Sequence, residues 1–191
     1  MPLFDVAIIE MGPVGSAACI LFAYAGLKVV AFERDKDVYA LPRAVSMDGE
    51  VVRGFQRIGR EKELADLLQP TQAGERFGFT NSKCEYLFGQ GRSSFVVNVW
   101  PTLSMFDQPE VDGYLRSTAS EHPNVTAHIG AEVERFEDHQ DHVAISAGDT
   151  SAEARYLLGC DGAGSMVRRD IGVVWVDLGY DHDWLVGDVA M

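Results

Sequence analysis

Residues 5–33 read Asp-Val-Ala-Ile-Ile-Glu-Met-Gly-Pro-Val-Gly-Ser-Ala-Ala-Cys-Ile-Leu-Phe-Ala-Tyr-Ala-Gly-Leu-Lys-Val-Val-Ala-Phe-Glu. The apolar run at 5–9 predicts a strand buried on both faces of a parallel sheet. Gly12 and Gly15 predict a tight turn. Residues 14–25, small and apolar, predict a helix that Gly26 ends. Residues 28–33 then predict a second strand. Strand, turn, helix and strand within about 30 residues make a β-α-β unit.

The turn Glu10-Met11-Gly12-Pro13-Val14-Gly15 follows the dinucleotide fingerprint G-x-G-x-x-G, with glutamate in the first glycine position. Gly12 lets the backbone approach a pyrophosphate, and Gly15 lets helix and strand pack closely. The helix start offers free N–H groups and a positive dipole end to phosphates. Glu33 stands about 20 residues on, where an acid can bond ribose hydroxyls. Pro13, Val14 and Arg34 fall in the same candidate site. Glu10 puts a side chain at a glycine-type conformation, at roughly 1–2 kcal/mol, and a carboxylate near two phosphates. The milder alternative is that Glu10 points to solvent.

Working outward, residues 34–46 read as a polar loop and 48–68 as a helix broken near Gly59. Residues 75–100 read as short strands rich in aromatics, belonging to a separate sheet. Pro109 marks a helix running to about 121. Residues 124–147 read as β-hairpin material, 155–160 as a buried strand, and 164–171 as a short helix. Residues 184–189 read as a further strand. The fold class expected is α/β: a Rossmann-like domain with a central parallel sheet, a β-hairpin insertion, and the beginning of a second sheet.

Composition narrows the function. The 191 residues are 47% hydrophobic and 24% charged, ordinary for a globular chain, with a net charge of −13. That acidity argues against nucleic acid and against an anionic membrane surface. No apolar stretch reaches the roughly 18 residues of a membrane span. Three cysteines, Cys19, Cys84 and Cys160, form no CxxC pair. They predict neither a disulfide scaffold nor a zinc site, and suit a reducing cytoplasm. His139 and His142 sit in an acidic loop and read as solvated. No nucleophile elbow or activated cysteine is present.

Three later segments carry polar groups that a ligand could use. Arg43 follows Leu41-Pro42; an arginine there is a solvated charge or a phosphate or flavin-edge contact. Gln108 precedes Pro109 and either caps the coming helix or offers its amide to a ligand. Leu158-Gly-Cys-Asp-Gly-Ala-Gly-Ser-Met-Val-Arg-Arg169 runs a strand into Asp161-Gly162 and a basic helix start. That is a plain β-to-α turn or a ligand site at the carboxyl end of a strand.

In this order and spacing the four segments resemble the FAD-dependent aromatic-ring hydroxylases. Leu41-Pro-Arg-Ala-Val-Ser-Met-Asp-Gly-Glu50, Gln108-Pro109 and Trp184-Leu-Val-Gly-Asp-Val189 look most like the 3-(3-hydroxyphenyl)propionate hydroxylase branch. The resemblance runs from about residue 4 to 189. It implies that Gly12, Gly15 and Glu33 hold the ADP half of FAD. Arg43 and Gln108 would contact the middle of the cofactor, Asp161 and Gly162 would lie near the pyrophosphate, and Arg168 would support that turn. It implies a monooxygenase in which NADH or NADPH reduces FAD and O2 supplies the oxygen that hydroxylates a small phenolic substrate. No side chain acts as a covalent catalyst. A homo-oligomer is compatible with the resemblance.

Residues 1–74 would be the cofactor-binding core, 75–105 strands of a partial substrate domain, 106–175 the cofactor domain continued, and 176–191 the start of a truncated substrate domain. Such enzymes continue well beyond this length, so the chain corresponds to their N-terminal part. The competing readings are a non-catalytic nucleotide-binding remnant and an NAD-dependent dehydrogenase domain. The Arg43 and Asp161-Gly162 segments disfavour the dehydrogenase, which needs neither.

Overall fold

The computed structural model describes residues 2–41, 43–71, 76–91, 96–97, 99–179 and 183. The opening segment forms β1 (Leu3–Ile9), α1 (Pro13–Tyr24) and β2 (Val29–Glu33). β1 and β2 pair in parallel, Val6 opposite Val29 through Ile9 opposite Phe32. β2 is buried along its whole length, as a strand covered on both faces must be. Gly26, at φ +87°, supplies the left-handed residue that turns the chain out of α1.

The next stretch is broken into short pieces: β3 (Ser46–Met47), α2 (Gly49–Gln56), α3 (Glu61–Ala65) and β4 (Leu68–Pro70). The helical stretch expected at 48–68 is therefore two helices, and its last residue already belongs to β4. Gly59, at φ +69°, separates the helices. The Asp48 carboxylate accepts the N–H groups of Glu50 and Val51 and caps α2.

Four strands follow: β5 (Arg76–Thr80), β6 (Tyr86–Gly91), β7 (Val96–Val97) and β8 (Trp100–Pro101). They pair as two small antiparallel ribbons, β5–β6 and β7–β8, outside the central sheet. β9 (Ser104–Phe106) lies between β3 and β4 in a three-stranded sheet.

α4 (Gln108–Glu121) and β10 (Val125–Ile129) come next. β10 is not hairpin material. It joins the central sheet parallel to β2, Val125 opposite Val29. The helix before it supplies the long crossover that parallel pairing requires and a hairpin turn cannot. β11 (Arg135–Asp138) and β13 (Thr150–Gly159) each pair antiparallel with β12 (Val143–Ala147) between them, and α5 (Met166–Asp170) ends the regular structure described.

The central sheet has the order β10-β2-β1-β13-β12-β11. β13 lies parallel to β1 and antiparallel to β12, so it joins the parallel and antiparallel halves. Its second half is not buried as expected: Tyr156 is 71% exposed. β12 pairs with β13 only as far as Ala154, so among the described residues Arg155–Gly159 have a strand on the β1 side alone.

The sheet divides two apolar cores. Val6 and Ile8 of β1 face Ile20, Phe55, Val111 and Leu115 under the helices. Ala7 and Ile9 face Phe32, Ile145 and Val167 on the other side. This alternation along one strand is the period-2 signature of a strand buried on both faces.

No helix among the described residues is long and apolar enough to cross a membrane. Cys19, Cys84 and Cys160 are all free thiols. Residues 184–189, read from the sequence as a further strand, lie outside the described residues, as does nearly all of the segment 180–191.

Candidate functional site

The carboxyl ends of β1, β2 and β13 meet the start of α1 at a trough. One cavity of about 290 Å3 is lined by Gly12, Pro13, Val14, Glu33, Arg34, Arg43, Gln108, Asp161 and Gly162. These are the sequence-selected positions except Gly15 and Arg168. A second cavity, about 420 Å3, shares Glu10, Arg34 and Asp161 with the first and extends to Glu132–Glu134 and Arg169.

The two glycines do different work. At Gly12 an added Cβ would meet nothing within 4 Å, so its backbone faces open cavity. At Gly15 an added Cβ would lie 1.9 Å from the Glu10 carbonyl oxygen and 3.2 Å from Cys160 Cβ. Gly15 is thus the point of closest approach between α1 and the strands. Gly12 is the N-cap of α1, and no side chain caps that end. Free N–H groups at a helix N-terminus beside an open backbone suit a phosphate group.

Glu33 ends β2 with its side chain 3% exposed. Its Oε2 accepts the Met11 N–H at 2.8 Å, and its Oε1 accepts the Asp35 N–H at 2.8 Å. The Arg116 guanidinium lies 3.3 Å from Oε2. A carboxylate offers about four acceptor positions, so these three donors leave room for one more, such as a ribose hydroxyl.

Glu10 does not point to solvent. Its backbone has φ 73°, the left-handed region, and its side chain is 15% exposed. The carboxylate lies 3.7 Å from Arg34 Nε. Burial first, then the Glu33 charge, pushes the Glu10 carboxyl up to about 7, against the pull of Arg34; a hydrogen bond to Glu33 and the Asp35 charge push the same way. A protonated Glu10 therefore donates toward Glu33 and competes for the acceptor position a ribose would use.

Gln108 opens α4 and bridges distant segments. Its Oε1 accepts the N–H groups of Arg43 at 2.6 Å and Ala44 at 2.8 Å, and its Nε2 donates to Asp112. The Arg43 guanidinium stacks 4.2 Å from the Tyr39 ring centroid.

Asp161 is bound inward. Its carboxylate accepts the Ser165 hydroxyl at 2.6 Å, the Met166 N–H at 2.6 Å and the Val167 N–H at 3.2 Å. Burial pushes this carboxyl up, and the donors from Ser165, Val167 and Met166 outweigh it, holding it below the usual range. Asp161 thus shapes the turn from β13 to α5 and leaves Gly162, at φ +70°, facing the trough. Arg168 lines neither cavity. It donates to the Ala163 carbonyl at 2.8 Å and stacks on Trp175, so it braces the same turn.

Arg116 and Asp112 also line the trough, and neither stands out in the sequence by residue type alone. Their signal is spacing. Gln108, Asp112 and Arg116 recur every four residues, beside a buried stripe of Val111, Leu115 and Ala119. A polar stripe beside the apolar one on a half-buried helix marks a face turned toward a cavity. Burial pushes the Asp112 carboxyl up, and its Oδ1 is buried with no hydrogen-bond partner among the described residues. Cys19 lies in the core, its thiol pushed up to about 12 chiefly by burial, which leaves it unreactive at neutral pH.

A parallel α/β sheet, an open glycine at a helix N-terminus and an acid closing the second strand define a dinucleotide-binding domain. The chain belongs to the FAD-binding domain family, whose model matches residues 4–190. It is 32% identical over 198 residues to the "Probable NADH-specific resorcinol 4-hydroxylase" of Rhodococcus jostii (strain RHA1), covering 98% of this chain and 36% of that protein. It is 33% identical over 192 residues to the "3-(3-hydroxy-phenyl)propionate/3-hydroxycinnamic acid hydroxylase 1" of Burkholderia vietnamiensis (strain G4 / LMG 22486), covering 97% of this chain and 30% of that protein.

The chain therefore spans about a third of the length of these relatives. The fold is shared with the p-nitrophenol 4-monooxygenase PnpA from Pseudomonas putida DLL-E4, at 23% identity and a TM-score of 0.74 over 89% of this chain and 44% of that one. It is shared too with the flavin-dependent monooxygenase PieE, at 19% identity and a TM-score of 0.75 over 90% of this chain and 32% of that one.

Proposed function

We propose that this chain forms the ADP-binding side of an FAD site in a flavoprotein monooxygenase that hydroxylates a small phenolic substrate. The observation that carries the reading is the trough itself. The open Gly12 backbone, the N-terminus of α1 and the buried Glu33 carboxylate all face one cavity at the carboxyl ends of β1 and β2. These residues fit the cofactor. Gly12–Gly15 and the start of α1 would take the diphosphate, with Pro13 and Val14 in the turn. Glu33 would take the ribose. Arg34 and residues 132–134 would border the base in the second cavity.

Gln108 and Arg43 would border the middle of the cofactor, where Gln108 already holds the Arg43 backbone. Asp161 and Arg168 would act by shaping the Gly162 turn. Glu10 opposes binding, by charge and by competition for Glu33. FAD supplies the redox chemistry when reduced by NADH or NADPH and exposed to O2; the protein binds it, orients it and excludes water.

The relatives named for resorcinol and for 3-(3-hydroxyphenyl)propionate support a phenolic substrate, and the NADH specificity in the first relative's name supports NADH as reductant. The β5–β6 ribbon, outside the central sheet, is read as part of a substrate-side unit, with 176–191 leading into the rest of it. A cytoplasmic setting and self-association complete the reading.

The direct test is spectroscopic. The purified chain, titrated with FAD, should quench flavin fluorescence and turn yellow. A colourless protein that takes up no flavin would leave the nucleotide-binding remnant as the better description.

A further inference from the structure

Three arginines line the first cavity, and they are placed differently. Arg34 is more than half exposed and stands between Glu10 and Asp35. Arg43 is exposed and stacks on Tyr39. Arg116 is the least exposed of the three, its side chain 14% exposed. Its guanidinium is a fork with two occupied tines: one nitrogen lies 3.3 Å from Glu33 Oε2, and the other donates to the Asp35 carbonyl at 3.2 Å.

Both terminal nitrogens of Arg116 are therefore engaged, by the acid that ends β2 and by the main chain two residues later, while its Nε is buried with no hydrogen-bond partner among the described residues. Glu33 needs this partner. It is a buried carboxylate beside two other acids, Glu10 and Asp35. A buried charge that loses its partner is strongly disfavoured, and a carboxylate with fewer donors swings on its side-chain torsions. The N–H groups of Met11 and Asp35 each hold one carboxylate oxygen, and Arg116 is the cation 3.3 Å from Oε2.

We propose that Arg116 is a positioning residue: it holds the Glu33 carboxylate, from α4, in the orientation that receives the ribose hydroxyls of the bound adenine nucleotide. The proposal rests on the FAD reading above and assigns Arg116 no contact with phosphate. It links the polar face of α4 to the ribose subsite, so Gln108 at one end of the stripe and Arg116 at the other organise opposite ends of the same trough.

The test compares two displacing ligands, ADP and 2′,3′-dideoxy-ADP, each competing against FAD on the full 191-residue chain. The parent should prefer ADP by about tenfold, the value of a hydrogen bond to a charged acceptor. R116Q and R116K should lose most of that preference. E33Q should lose it too, and R116Q added to E33Q should change it no further. R116K keeps a positive charge beside Glu33 and preserves the fold if R116Q does not, yet an ammonium cannot reach both acceptors as the fork does.

Equal weakening of both ligands in R116K, with the preference intact, would make Arg116 a phosphate contact or a purely structural residue and overturn the proposal. A parent that binds both ligands without preference would overturn it as well, leaving the FAD reading standing. A parent that binds neither FAD nor ADP would overturn both.

Discussion

Replacing Glu10 is the sharpest perturbation the structure offers, because two separable costs meet at one residue. The first is electrostatic. The carboxyl is pushed from 4.5 to about 7 by burial and by Glu33, net of the help from Arg34. At 1.36 kcal/mol per pKa unit, holding it ionised in the folded chain costs about 3 kcal/mol. The second is conformational: φ 73° costs a side-chain-bearing residue roughly 1–2 kcal/mol.

The sign of the pH dependence follows. Below about pH 4.5 Glu10 is protonated in both folded and unfolded chains and carries no electrostatic penalty. As pH rises toward 7 the unfolded chain ionises first, so folded stability falls, and above about 7 the full penalty applies. Urea melts at half-unit steps from pH 4.5 to 8.5 read this directly. E10Q should match the parent at pH 4.5 and exceed it by about 3 kcal/mol at pH 8. E10G, which also relieves the backbone, should lie about 1 kcal/mol or more above E10Q at every pH. The same variants should bind FAD more tightly, with the parent losing affinity from pH 6 to 8 and E10G flat. A parent-to-E10Q difference that is constant with pH, or that grows as pH falls, would refute the reasoning.

Other perturbations test the remaining parts of the site. G12A should fold with an unchanged melting temperature, since its Cβ meets no atom, and should weaken FAD binding at least about tenfold by filling phosphate space. G15A should fail to fold, because its Cβ would lie 1.9 Å from the Glu10 carbonyl; a soluble, cooperatively melting G15A would contradict the packing described. Q108L frees the Arg43 and Ala44 N–H groups, so trypsin should cut after Arg43 several-fold faster, which timed digestion followed by mass spectrometry would show. D161N weakens the cap on α5 and should cost about 1 kcal/mol at pH 7. The Asp161 carboxyl is held below its usual range in the fold. Its contribution is therefore present above about pH 4 and lost on acidification, and the gap between parent and D161N should close in melts below that pH.

The opening β-α-β unit was legible because everything that builds it is local. The apolar run, the glycine spacing and the acid at the end of the second strand are set by strand length, turn geometry and helix length. Gly12, Gly15 and Glu33 therefore fall where the spacing places them. The start of α4 was legible for the same reason, from Pro109 in its first turn. The strand at 125–129 was not: its sequence suits a hairpin or a parallel strand equally, and pairing with β2 decides between them. The second half of β13 looked buried by composition, but β12 ends its pairing at Ala154.

By itself the sequence determined a strand-to-helix glycine turn that follows the dinucleotide fingerprint with an acid in place of its first glycine. The tertiary structure alone decided what that acid does and which residue answers it. Glu10 turns into the trough: its backbone is left-handed, and its carboxylate lies beside Arg34 and Glu33 at the cavity wall. Arg116 reaches Glu33 across 83 residues of chain because α4 packs on α1 and on β10, the strand beside β2. Contacts of that span depend on how elements dock, through burial of the two cores on either side of the sheet, and no local spacing encodes them.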